Sequence, residues 1–177
     1  MAKKQQKEKS IEETLWESAN KLRGSVEPSE YKHVVLSLIF LKYAYDRFVE
    51  RRNELIADGK GAFVDQPVFY NAKNIFYLNE ISRWDYLMEN AKQNDIAIKI
   101  DAALAQVEKD NPSLKGALPS NYYSGLGLDR TKLASLLDVI GKIDTQKDKE
   151  HDLIGRVYED FLGKFAIAEG KGKGEYY

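Results

Sequence analysis

The chain is 177 residues long, enough for one domain with its own core, and 43% hydrophobic against 31% charged, the balance of a globular protein. Its formal net charge is -1, so a nucleic-acid partner would have to be met by a local basic patch rather than by the whole surface. Cysteine is absent, which excludes disulfides, thiolate metal sites and cysteine nucleophiles and suits a cytoplasmic location.

The opening MAKKQQKEKS is basic but lacks the apolar stretch of a signal peptide, and residues 1–9 read as a disordered tail. Ser10 and Glu13 have capping-box spacing, predicting a helix with Leu15, Ala19 and Leu22 on one face and Gly24 at its end. Pro28-Ser29-Glu30 opens the dominant element, a helix over about 30–57. Its first half is apolar almost all round, the mark of a central, buried helix. The run 34–41 is interrupted by Ser37 and closed by Lys42, far short of the about 20 residues of a membrane span, so a soluble protein with no membrane partner is expected. The second half turns amphipathic, with Tyr45, Phe48 and Val49 opposite Arg47, Arg51 and Arg52, and Asp58-Gly59 stops it.

Residues 60–80 read as an irregular connection with a short strand or extended piece near 75–78. Ser82 with Asp85 predicts a helix to about Gln93, carrying Trp84 and Leu87 inward. Asn94 caps a further predicted helix over 96–109, whose apolar set is Ile96, Ile100, Ala103, Leu104 and Val107, and Asn111-Pro112 ends it. LKGALPSNYYSGLG reads as a loop. Asp129 caps a helix bearing Leu133, Leu136, Leu137 and Ile140. A last helix over 152–168 has Leu153, Val157, Phe161 and Phe165 spaced by four. The expected fold is all-α: a compact bundle of five or six helices around one long central helix. A basic tail (1–9), a helical domain (10–168) and a glycine-rich linker (169–177) divide the chain. No βαβ alternation announces a nucleotide-binding sheet.

Few constellations carry chemistry. His33 and His151 each lack a second histidine at ligand spacing, so no metal is expected. Glu12/Glu13 and Asp144/Asp148/Asp152 lie among lysines and read as solvated surface rather than as an acid–base pair. Tyr122-Tyr123, in a predicted loop, has two readings: a structural role, or stacking on a base or partner. Gly170, Gly172 and Gly174 alternate with Lys171 and Lys173. The order is helix then glycines, the reverse of a phosphate-binding turn, so a linker is the default; the lysines remain candidates for DNA backbone contact. Arg47, Arg51 and Arg52 form a candidate DNA or partner face, against the reading that Asp46, Glu50 and Glu54 neutralise them along the helix.

Three blocks resemble a known family. ETLWESANKLRGSVEPSEYKHVVLSLIFLKYAYDRF (13–48), EKDNPSLKGALPSNY (108–122) and LIGRVYEDFLGKFAIAEGKGKGEYY (153–177) are similar, in order, to the N-terminal region of modification subunits of type I restriction-modification systems. Asp160 departs from the bulky residue usual there. The resemblance implies a helical domain preceding a Rossmann-like methyltransferase domain. Gly174-Glu175-Tyr176-Tyr177 matches the first half of the segment that begins the S-adenosylmethionine site, which makes Glu175, Tyr176 and Tyr177 the candidate cofactor residues. The Thr-Pro that follows in the family, the glycine-rich cofactor loop and the Asn-Pro-Pro-aromatic motif are not in this sequence.

By that resemblance the parent protein transfers a methyl group from S-adenosylmethionine to adenine N6 in double-stranded DNA, flipping the base to reach it. It would work with a specificity subunit, a second modification subunit and a restriction subunit. The 177 residues themselves are expected to be inactive and to serve docking or DNA clamping. The competing expectation is a stand-alone helical adaptor that binds a protein partner.

Overall fold

The computed structural model describes residues 28–145, with side chains from His33 onward. The first predicted helix, the helix over 152–168, and the sites at Glu12, Glu13, Asp148, His151, Asp152, Lys171, Lys173 and 175–177 lie outside the described residues.

The dominant element is α1, Pro28–Ala57, 30 residues and about 45 Å long. Proline at its first position suits a helix start, because its missing N–H would have no intrahelical partner there. The helix closes on a double hydrogen bond: Lys60 N–H donates to the Leu55 carbonyl (2.7 Å) and Gly59 N–H to that of Ile56 (3.1 Å). This closure needs a residue at positive φ, and Gly59 supplies it at 77°.

Every side chain from Val34 to Leu41 is buried, whichever way round the helix it points. Ser37 is fully buried with them and satisfies its hydroxyl on the His33 carbonyl at 2.9 Å. Burial of each large aliphatic or aromatic side chain here stabilises by about 1.5–3 kcal/mol.

Around α1 lie five further described α-helices: α2 (Val68–Asn71), α3 (Trp84–Glu89), α4 (Ile96–Asp110), α5 (Tyr122–Gly125) and α6 (Arg130–Gly141). Single 3-10 turns stand at Gly61–Phe63, Glu80–Ser82 and Pro112–Leu114. No strand occurs among the described residues, so the all-α expectation holds. α1, α4 and α6 contribute one continuous core in which Leu38, Phe40, Leu104, Leu136 and Ile140 are fully buried.

Several boundaries differ from the sequence reading, for local reasons. α3 stops at Glu89 rather than near Gln93, where Asn90 Nδ2 turns back onto the Tyr86 carbonyl at 2.7 Å. Asp95, not Asn94, occupies the N-cap position of α4 and pairs with Lys99 at 2.8 Å. Ser82 does not cap a helix. It is buried, and its hydroxyl donates to the Ala103 carbonyl (2.9 Å), tying the start of α3 to α4. Asp129 caps α6 as expected, accepting from Lys132 N–H at 3.1 Å.

The segment read as a loop after Pro112 contains α5. Its first amides are held from a distance: the Asp101 carboxylate, on α4, accepts from Tyr123 N–H and Ser124 N–H, both at 2.8 Å. Tyr123 is thereby buried, its hydroxyl donating to the Val34 carbonyl on α1, and burial pushes its pKa well above the usual value. That placement favours the structural reading of Tyr123 over the stacking one.

At the other end of α6, Gly141 faces Trp84. A Cβ there would stand 3.0 Å from the indole Nε1, so α6 and α3 approach through a glycine.

Candidate interaction surface

The second half of α1 carries three stripes. Ala44, Phe48 and Leu55 are buried and face the core. Arg47, Glu50, Arg51 and Glu54 lie three and four apart along a second stripe. Lys42, Tyr45, Asp46, Val49 and Asn53 line a third, beside Ile143 and Asp144.

Residues 60–80 determine how the arginine stripe is used. They fold back along α1 and place an aromatic cluster on Phe48. Tyr70 stacks on Phe48 (centroids 4.9 Å, planes 22° apart) and Tyr77 meets both edge-on at 5.7 and 5.4 Å. Such packing adds to the area term because ring edges and faces carry opposite partial charge. Tyr70 donates its hydroxyl to the Val64 carbonyl at 2.7 Å, and burial raises its pKa, as it does for Tyr77.

Arg51 belongs to this junction. Its Nε donates to the Phe69 carbonyl (2.9 Å), one guanidinium nitrogen meets Glu54 at 3.0 Å, and its side chain is only 12% exposed. Arg47 has less to hold it. It pairs with Glu50 at 2.9 Å and its side chain is 33% exposed, so it can turn to a partner without undoing a tertiary contact. Arg52 Nε is buried and finds no acceptor among the described residues. The pairs run i,i+3; Asp46 joins Lys42 (2.7 Å) and the Thr145 hydroxyl (2.6 Å) instead. The three arginines share a helix but not an environment.

Two residues central to this junction were not anticipated. Arg83 lies over the Phe48 ring at 4.8 Å, donates from Nε to the Leu78 carbonyl (3.1 Å) and approaches Asp65 at 3.8 Å. Asn111, almost fully buried, clamps the irregular stretch 75–79. It exchanges two hydrogen bonds with the Tyr77 backbone, both 2.9 Å. Its Nδ2 also donates to the Val107 carbonyl (2.8 Å) and its Oδ1 accepts from Asn71 (3.1 Å). The amide thus pairs both backbone groups of Tyr77, in a stretch that is neither helix nor strand. The only sequence signal was Asn-Pro, which also marks a helix end.

No described residues form a group of three or more His, Cys, Asp or Glu able to hold a metal ion. No described helix is long and apolar enough to cross a membrane. Open grooves mark the described surface, two of them against α1 or α6. One, of about 580 Å³, runs between α3 and α6 past Met88, Lys92, Arg130 and Asp138, and the other, about 490 Å³, follows the third stripe of α1.

Residues 11–143 match the family model described as the HsdM N-terminal domain. This chain belongs to the HsdM N-terminal domain family. Its relatives include the type I restriction enzyme MjaIX methylase subunit of Methanocaldococcus jannaschii, 35% identical over 183 residues, covering 94% of this chain and 33% of that protein. The HindI methylase subunit of Haemophilus influenzae is 31% identical over 117 residues (54% of this chain, 26% of that one). The MpnII methylase subunit of Mycoplasma pneumoniae is 22% identical over 210 residues (99% and 38%). This HsdM N-terminal domain spans about a third of the length of the methylase subunits it matches. The resemblance drawn from the three sequence blocks is therefore shown at the level of the family.

Proposed function

We propose that this chain is the docking and DNA-clamping domain of a type I adenine-N6 DNA methyltransferase subunit, a scaffold rather than the seat of chemistry. The observation that carries the reading is its alignment with one third of proteins named methylase subunits, over a stretch matching their N-terminal domain family. In this reading the parent protein uses S-adenosylmethionine and acts in the cytoplasm with a specificity subunit, a second modification subunit, a restriction subunit and double-stranded DNA.

Glu175, Tyr176 and Tyr177 would begin the cofactor segment; they lie outside the described residues, and no described residue is assigned to the cofactor. What the described residues contribute is rigidity and surface. A buried rod braced by α3 and α6 can hold a docking face fixed, so little ordering entropy is lost on association. Of the basic residues proposed for DNA or partner contact, Arg47 is the one whose exposure fits a docking role best, with Lys171 and Lys173 adding point charges towards phosphate. Arg51 and Arg52 would act behind it, shaping the stripe.

The test is a pull-down of the folded chain with its cognate specificity subunit, with and without duplex DNA. Retention of the specificity subunit, weakened by Arg47→Glu, is the expected result. A folded chain that retains neither that subunit nor a full-length modification subunit would sink the docking role. Retention unaffected by salt or DNA would remove the clamping half alone.

A further inference from the structure

We infer that the groove along the third stripe of α1 is the seat of this chain's own residues 153–165. Tyr45 and Val49 on α1 form its apolar strip with Ile143 opposite, and Lys42, Asp46, Glu50, Asn53 and Asp144 form its polar border. Tyr45 and Val49 are half-buried, too covered for solvent-facing residues and too open for core. The groove holds about 490 Å³, the scale of several large side chains rather than of a water file.

Three observations name the occupant. First, the described chain arrives at this groove: Ile143 and Asp144 line it, and Thr145, nearly fully buried, donates its hydroxyl to Asp46 at 2.6 Å. Whatever follows Thr145 starts there. Second, the sequence that follows carries an apolar residue at every fourth position, Leu153, Val157, Phe161 and Phe165, a pattern that suits a helix laid along another helix. Third, the reach is sufficient. The residues between Thr145 and Leu153 span at most about 28 Å when extended. The stripe from Lys42 to Asn53 is about 16 Å long.

The consequence is geometric. A segment seated on α1 fixes the direction in which the chain after residue 165 departs, and ties that direction to the same helix that bears the arginine stripe. The docking reading is not needed for this inference, since the seat forms within one chain whether or not the specificity subunit binds.

Because the chain has no cysteine, paired cysteines test it cleanly. In the full 177-residue chain, Val49→Cys is combined in turn with Leu153→Cys, Val157→Cys and Phe161→Cys, and oxidised mildly. A control pairs Val157→Cys with Ile98→Cys, on the exposed face of α4. At least one Val49 pair should form an intramolecular disulfide ten or more times faster than the control. Rates equal to the control overturn the proposal, and so do bridges only between two molecules, which would make a second copy the occupant.

Trypsin cleavage after Arg156 and Lys164 provides a readout free of cysteine. Val49→Glu should speed it about tenfold while cleavage after Lys132 stays unchanged. An unchanged rate after Arg156 and Lys164, in a variant that keeps its helical signal, contradicts the seat.

Discussion

Residues 34–41 and residues 42–57 belong to one helix and are held by different physics. The first stretch is buried on all sides and rests on apolar contact, which has no direction and depends on volume. The second is buried on one side only, and what covers it is bound through directed polar contacts: Arg51 to the Phe69 carbonyl, Arg83 to the Leu78 carbonyl, Asn111 to the Tyr77 backbone. Volume-conserving changes should therefore be tolerated in the first half. Changes at the junction of the second should be judged by which backbone group they leave unpaired.

The largest effects are expected in the apolar half and at the clamp. Leu38→Ala should cost roughly 2–5 kcal/mol in denaturant melts, as removal of a fully buried leucine leaves a cavity. Leu38→Met, which keeps the volume, should cost less than about 1.5 kcal/mol. A loss near zero for the alanine variant would mean that this half is not core.

Next comes the clamp. Asn111→Ala strips the Tyr77 N–H and carbonyl of their partners inside the protein, for a loss of about 2–6 kcal/mol, each unpaired buried group costing about 1–3 kcal/mol. Faster exchange at the Tyr77 amide would accompany it.

The arginine stripe sharpens the comparison further. Arg51→Ala removes a charged donor from a backbone carbonyl and should cost about 1–3 kcal/mol. Arg47→Ala, losing only a part-exposed pair with Glu50, should cost under about 0.5 kcal/mol. Equal losses at the two positions would erase the distinction between a structural and an available arginine, on which the choice of Arg47 as a contact residue depends.

How much could be read from sequence follows the same division. The apolar half of α1 was legible because eight-way burial needs apolar residues at every register, and no other local pattern mimics that. α4 and α6 were legible from their periodic apolar sets, and the end of α1 from Asp58-Gly59. The polar junction was not. Asp101 anchors α5 through amides of Tyr123 and Ser124, and Asn111 clamps Tyr77, across separations of more than twenty residues. No helical or strand period records such a contact, so Asn111 read as a terminator and α5 as loop. The candidate arginines were visible as charges on a helix, but that Arg51 is held on the Phe69 carbonyl while Arg47 keeps only its pair with Glu50 depends on residues 60–80 folding back. Nothing local encodes that.

The central claim is that α1 is a rigid rod whose apolar half is the last part of the domain to open, and that this rigidity makes the domain a scaffold. Native-state hydrogen exchange along α1 tests it most directly. Amides of residues 38–44, which bond back into the apolar half, should exchange only through global unfolding, with the free energy seen in denaturant melts. Those of residues 53–57 should open locally and sooner. Exchange of the first group as fast as that of the second would contradict the account.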